Sequence, residues 1–455
     1  KRGSSLLKQA LRLRLLGLGA ICALFAACEN TPSNLKQPLV AMSGFSFYDD
    51  PLSYINNVRA KSGLNQLSQN EILNTSALNH AKYVVANEAM SHDESPGKPN
   101  FTGENPSKRA FYAGYNAVVS ENLSYNSSDL KSAIDGLLSA IYHRFAFLDF
   151  ASDEIGIGYF EHGKKSSYVF EMGNSRLNAF CSLNLNDEGS GKFLLGMCKN
   201  ETLRMREDKF KGAVALNSHP YVYYPNDEPA LAFFSNEIPD PMPECKITAN
   251  PVSVEFNAEG PPVAMKSFKI YEGGRELQNV KILDKNSDPN AILSDRQFVL
   301  FSRDVFKFDA KYGAEFNYEQ GGKQKTLRWE FITQAPKFRY FVVQGGENLS
   351  VKNGAFYDIF VAPKDCNDLM KSYKTSYSFM DKPEISSPAA NMLRVKLNGA
   401  KGAKLEISTD NGAIINLYLS DDSKSYGGMG KIYAAIAAVL AAIVLFYLLA
   451  RRRER

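Results

Sequence analysis

Ser91-His92-Asp93-Glu94, Ser120-Glu121-Asn122-Leu123, Tyr142-His143-Arg144 and Asp153-Glu154-Ile155-Gly156-Ile157-Gly158 are the four segments that decide the reading of this 455-residue chain. Each falls where one element hands over to another. Residues 70–89 repeat apolar or small side chains at Leu73, Ala77, Ala81 and Val84, one stripe of an amphipathic helix, and His92 lies just past its end. Residues 128–142 put Leu130, Ile134, Leu137, Leu138 and Ile141 on a second stripe, with His143 near its C-terminal end, where the helix dipole favours a cation. Residues 51–62 begin with Pro51 and precede Gly63, the signature of a shorter helix. Residues 106–115 read as another helix and 118–125 as a short extended piece. Residues 155–160 and 167–173 flank His162-Gly163-Lys164-Lys165 and read as a hairpin. Helices combined with an antiparallel sheet predict a layered α+β domain.

The order and spacing of these segments resemble the CAP superfamily, the cysteine-rich secretory and pathogenesis-related proteins and their bacterial relatives. The resemblance rests on Ser91-His92, Ser120-Glu121-Asn122, His143-Arg144 and Glu154-Ile155-Gly156-Ile157-Gly158, and covers about residues 45–174. Two departures stand out: Ser120 replaces a glycine, and Ser139-Ala140-Ile141-Tyr142 replaces a Ser-Pro-Gly. Gly103-Glu104-Asn105 makes Glu104 a second, weaker candidate for the role given to Glu121. The resemblance implies a three-layer α-β-α sandwich over residues 45–176. It also implies a cleft lined by His92, Glu121 and His143. Glu154 is expected to stand in for the second acid of the family, for which the helix before His143 offers Asp129 and Asp135.

Beyond this domain, residues 177–243 read as a β-rich extension ending in a linker marked by Pro239, Pro241 and Pro243. Residues 245–335 alternate in short strands, with Gly321-Gly322 as a hairpin turn and Trp329 in the core, which predicts an Ig-like β-sandwich. Residues 336–424 read as a second, small β-domain.

Both ends point to a membrane. Residues 1–28 combine a basic start, a 13-residue apolar run over 15–27 and Phe25-Ala26-Ala27-Cys28, which resembles the lipobox of a bacterial lipoprotein signal peptide. Cys28 is the expected lipidation site. Residues 432–450 carry no charge and precede Arg451-Arg452-Arg453-Glu454-Arg455, a transmembrane helix with a cytoplasmic C-terminus. The bulk of the chain is thus expected in the periplasm or outside the cell. The remaining cysteines suit an oxidising compartment. Cys181 and Cys198 flank a Gly/Asn/Asp-rich turn and are expected to form a hairpin disulfide, leaving Cys245 to pair with Cys366 or both to stay free and buried.

A net charge of +4 with 22% charged residues carries no nucleic-acid footprint. Two imidazoles among carboxylates suit zinc, and His92 and His143 are the candidate ligands, although no recognised metal motif is present. His80, His162 and His219 read as surface or packing residues. Asp284-Lys285-Asn286-Ser287-Asp288 reads as a turn rather than a calcium loop. Three functions compete: a binding module for an envelope protein or lipid, a metal-dependent hydrolase of envelope peptides or proteins, and a structural envelope protein. Multiple β-domains on an anchor favour the first or the third, and the first is the expectation carried forward.

Overall fold

A computed structural model describes residues 34–38, 50–215, 217–235 and 237–421. The expected signal peptide over 1–28, the lipid on Cys28 and the span over 432–450 lie outside these residues. Among the described residues no helix is long and apolar enough to cross a membrane.

The first domain has three layers. Helix α1 (Pro51–Lys61) is capped by Asp50 and leads through β1 (Ser68–Gln69) to α2 (Glu71–Asn87), capped by Asn70. Then come α3 (Pro106–Ala113), β2 (Ser120–Tyr125), α4 (Leu130–Ser139), α5 (Ile141–Phe147), β3 (Glu154–His162) and β4 (Lys165–Gly173). The sheet runs β1-β3-β4-β2, with β1 parallel to β3 and the rest antiparallel. Alternation along β4 assigns its two faces: Val169 packs with Ala77, Ala81 and Val84 of α2, while Phe170 packs with α1, α4 and Phe147 of α5. The Gly-Ile-Gly of β3 has a steric cause. A Cβ on Gly156 would stand 2.0 Å from the carbonyl carbon of Leu73, and one on Gly158 2.3 Å from that of Ala77. Helix α2 therefore lies against bare backbone.

The stripe read as one helix over 128–142 is broken. Ala140 is extended (φ −85°, ψ 117°), so α4 stops at Ser139 and α5 begins at Ile141. His143 thus sits in the first turn of its own helix, and the C-terminal dipole argument does not apply to it.

Residues 177–243 are less β-rich than expected. Helix α6 (Ser175–Leu183) is capped by Asn174, and α7 (Glu207–Val214) carries two acids in its first turn. Between them β5 (Phe193–Leu194) and β6 (Met205–Arg206) pair for two residues each. Cys181 is bonded to Cys198, but from a helix rather than a hairpin strand.

The next domain is a sandwich of two four-stranded sheets, and it starts before residue 245. Strand β7 (Tyr221–Tyr224) belongs to it; β8 (Phe233–Phe234) and β9 (Thr248–Ala249) form a side pair. One sheet runs β13 (Val280–Leu283), β14 (Gln297–Ser302), β10 (Val252–Phe256), β7. The other runs β12 (Arg275–Glu276), β11 (Val263–Glu272), β15 (Lys311–Gln320), β16 (Lys323–Ile332). Phe256, Phe268, Phe298, Phe316 and Trp329 fill the space between them. The Trp329 indole donates to the Pro225 carbonyl at 3.0 Å.

Residues 339–419 form a second sandwich from β17 (Arg339–Val343) to β24 (Ile414–Leu419), again two sheets of four strands. Phe360 and Met392 of this unit pack into the core of the first sandwich. Cys245 is bonded to Cys366, which ties the two sandwiches covalently.

Candidate functional site

Strand β2 is the edge of the α/β sheet, and the site forms where the two helical layers meet around that edge. Glu121 points to the α2 face. There it accepts from His92 Nδ1 at 2.8 Å and from the Arg109 guanidinium of α3 at 2.6 Å. Arg109 also donates to the His92 carbonyl at 2.8 Å, so the loop after α2 is held at both backbone and side chain. On the other face the Asn122 amide donates to the His143 carbonyl at 2.9 Å. The His92 and His143 rings stack with centroids 5.7 Å apart.

Behind His92 lies a buried cluster. His80, expected as a packing or surface residue, is fully buried on α2. Its Nδ1 is 2.9 Å from Glu94 Oε1 and its Nε2 3.0 Å from the Ser91 carbonyl, with Glu121 at 3.6 Å. Both ring nitrogens thus face oxygen atoms. Glu94 further accepts from the backbone of Thr102 and Gly103. Burial alone would push the Glu121 carboxyl up, but His80, His92 and Arg109 bring it down to about 2. Glu171, its cross-strand partner, is raised well above the ordinary range by burial and by the charge of Glu121. The two buried carboxyl groups of the cluster, Glu121 and Glu171, are thus displaced in opposite directions.

Glu154 is not part of this cleft. It lies in β3 beside β1, at the opposite edge of the sheet, where it accepts from Tyr115 at 2.8 Å and Asn70 at 3.1 Å. Asp129 and Asp135 do not take its place. Asp129 caps α4, and Asp135 is engaged by Lys131 and the Tyr54 hydroxyl. Glu104 is exposed and contributes its carbonyl to Glu94 N. The carboxylate that meets His143 is Glu237, which precedes the proline run. Its Oε1 accepts from His143 Nδ1 at 2.8 Å and from the backbone N–H of Tyr142 and His143 at 2.8 and 3.2 Å. Glu237 thereby supplies the cap that α5 lacks, since Ala140 has no side chain for it. The contact spans 94 residues, and no local spacing signals it.

Arg144, next to His143, is fully buried and reaches into the first sandwich. It donates to the Pro251 carbonyl at 2.7 Å, Ser253 Oγ at 2.9 Å and Asn250 Oδ1 at 2.7 Å, and its guanidinium lies 4.6 Å from the centre of the Tyr224 ring. Burial lowers its pKa to about 10.

The two histidines open onto a cavity of about 1590 Å³ between the α/β domain and both sandwiches. Pockets for small molecules are usually 300–1,000 Å³. Each imidazole has a carboxylate on Nδ1, which leaves Nε2 as the outward nitrogen. A catalytic zinc needs three protein ligands. Among the described residues no group of three His, Cys, Asp or Glu side chains could hold a metal ion, so the zinc expectation at His92 and His143 lacks its third ligand.

Fold and site together define an α-β-α sandwich with a histidine–carboxylate cleft at its sheet edge. Residues 52–172 match the cysteine-rich secretory protein family, CAP, and the chain carries a CAP domain there. No curated protein matches the chain. Among solved structures, an outer surface protein from Borrelia burgdorferi is 22% identical over 27% of this chain and 87% of its own, with a TM-score of 0.24. An extracellular SCP-domain protein from Bacillus anthracis is 22% identical over 27% of this chain and 39% of its own, TM-score 0.24. Tandem Ig domains of titin are 13% identical over 38% of this chain and 88% of their own, TM-score 0.14.

Proposed function

We propose that this chain is a membrane-anchored, extracytoplasmic CAP protein that holds an envelope or extracellular ligand, protein or lipid, in the cleft of His92, Glu121, His143 and Glu237. The observation that carries the reading is the pairing of two carboxylate-backed imidazoles with one large cavity walled by three domains. Binding sites are concave and mostly apolar, with a few fixed polar groups, and Leu137, Leu231 and Phe233 supply apolar wall here. Among the described residues no serine, threonine or cysteine side chain hydrogen-bonds to either imidazole, so no nucleophile–base pair supports hydrolysis. The anchor rests on the apolar runs at the two ends of the sequence.

The test is binding of envelope lipid vesicles and of envelope peptide digests, measured separately with the full chain and with a His92→Ala/His143→Ala variant. We expect retention of one of the two classes by the native chain, at least tenfold weaker in the variant, with unchanged circular dichroism. Equal retention by both proteins would remove the cleft from the function and favour a structural role. Turnover of the retained ligand would make the protein an enzyme.

A further inference from the structure

Phe379 is the most exposed large hydrophobic side chain among the described residues, at 79%. It stands near the end of β20 (Tyr373–Met380), an edge strand of the second sandwich that pairs with β23 (Gly399–Thr409). The register shifts between Ser378 and Met380, and Phe379 takes a left-handed backbone conformation, φ 58°, which bulky side chains rarely adopt. A bulge of this kind re-aims one side chain. Met380 is buried, while Phe379 turns out into solvent, and Tyr377, two positions earlier, is 46% exposed. The chain leaves the second sandwich at this same end. Asn353 ties the end together: its backbone N–H donates to Asp421 Oδ1 at 2.8 Å, and its side-chain amide donates to the carbonyls of Asp421 and Gly399. Its Oδ1 accepts from Gly399 N at 2.9 Å. Gly399 pairs with Met380, and a Cβ on it would stand 2.8 Å from the Phe379 carbonyl oxygen. Only residues 422–431 separate Asp421 from the uncharged run over 432–450. A segment of that length reaches at most about 36 Å.

We propose that this end of the second sandwich rests on a lipid bilayer, with Phe379 in the interface between headgroups and acyl chains. The proposal rests on the anchored reading above, since the bilayer is the one that residues 432–450 would enter. A tether of that length keeps this end of the domain beside the bilayer whatever the cleft holds. An exposed phenylalanine gains by leaving water, and aromatic side chains gather at membrane interfaces. The exposed residues around it, Thr375, Ser376 and Ser378, are small and polar, so they form no apolar groove for a protein segment to fill. Charge is nearly matched at this end. Lys382 stands next to Asp381, and Lys396 is paired with Glu384 at 2.8 Å. A protruding aromatic on an end of little net charge suits insertion between lipids rather than a contact steered by charge.

The experiment is fluorescence quenching of the full chain reconstituted in phosphatidylcholine vesicles whose acyl chains are brominated close to the headgroup. Phe379→Trp places a reporter at the tip. Tyr112→Trp places one at a 69% exposed site on α3 of the α/β domain, and the native chain reports its buried Trp329 alone. We expect brominated lipid to quench the added emission of Phe379→Trp at least about fivefold more strongly than that of Tyr112→Trp. Both side chains are exposed, so both variants should keep the native melting temperature. Equal quenching at the two sites would overturn the proposal. So would a chain that co-floats with the vesicles while Phe379→Trp is not quenched; the anchor would then stand and the docking fail. A shift of the Phe379→Trp emission to shorter wavelength that follows protein density rather than bromine would assign the residue to a contact between copies, and would also overturn it. A full chain that does not co-float with vesicles would overturn the anchored reading and this proposal with it.

Discussion

Glu171 faces Glu121 across the β2–β4 pairing, and both carboxyl groups are buried on the α2 side of the sheet. Their environments act in opposite directions. Glu121 is drawn below the ordinary carboxyl value of 4.5 to about 2, so its stabilisation is present above 4.5 and is lost as pH falls toward 2. Glu171 is raised, so the folded chain keeps a proton that the unfolded chain releases above pH 4.5. Its contribution is complete below that pH and declines as pH rises through it. Glu171→Gln keeps a group able to bond Ser76, now 2.9 Å from Oε1, and cannot ionise. Thermal unfolding should then show a melting temperature higher by roughly 2 °C at pH 7, with the gain gone below pH 4. No gain at pH 7 would mean that Glu171 is ionised in the fold. His92, Glu121 and His143 were reached through the family resemblance of the segments that carry them. His80 was missed because a polar residue on a helical stripe gives no sign of which way it faces until the sheet supplies Glu94 and Glu121.

At the scale of elements, the pattern of β3 was the most legible part of the chain, and its cause is the close approach of α2. Gly158→Ala puts a methyl group 2.3 Å from the Ala77 backbone, a clash that rotamer changes cannot relieve. We expect a loss of at least about 2 kcal/mol in denaturant unfolding of the full chain, with Gly212→Ala, whose added Cβ on helix α7 meets nothing within 4 Å, far milder. Equal effects would show that α2 does not sit this close. The helix that starts at Pro51 and stops before Gly63 was readable from its termini. The break at Ala140 was not. The apolar stripe runs through Ile141 without a pause, and the helix restarts because a distant carboxylate takes the N–H groups of Tyr142 and His143. Helices α6 and α7 were read as extended because their aromatic and β-prone neighbours outweighed the Asn174 cap and the Glu207-Asp208 first turn.

For the whole molecule, the sandwiches were visible as alternating strands, but their extent and their docking were not. Strand β7 joins a sheet whose other members lie beyond the proline run, and Arg144 finds three of its acceptors 106 to 109 residues ahead. The cavity is likewise walled by three domains, so no segment of sequence contains it. The Cys245–Cys366 bond closes a separation of 121 residues. A loop of that size restricts the unfolded chain enough to stabilise the fold by about 4–5 kcal/mol. Cys245→Ser/Cys366→Ser should lose that amount in urea unfolding, and a loss under about 1 kcal/mol would show that the sandwich contacts alone hold the pair. Glu237 sets a different kind of limit. It caps α5 from 95 positions further along the chain. During synthesis at about 5–20 residues per second, His143 is added to the chain roughly 5–20 s before that carboxylate exists. For that interval the nascent domain has a helix without its cap and a guanidinium that lacks Asn250, Pro251 and Ser253. The cleft thus lacks one of its carboxylates until well after the whole α/β domain that carries its histidines has been made.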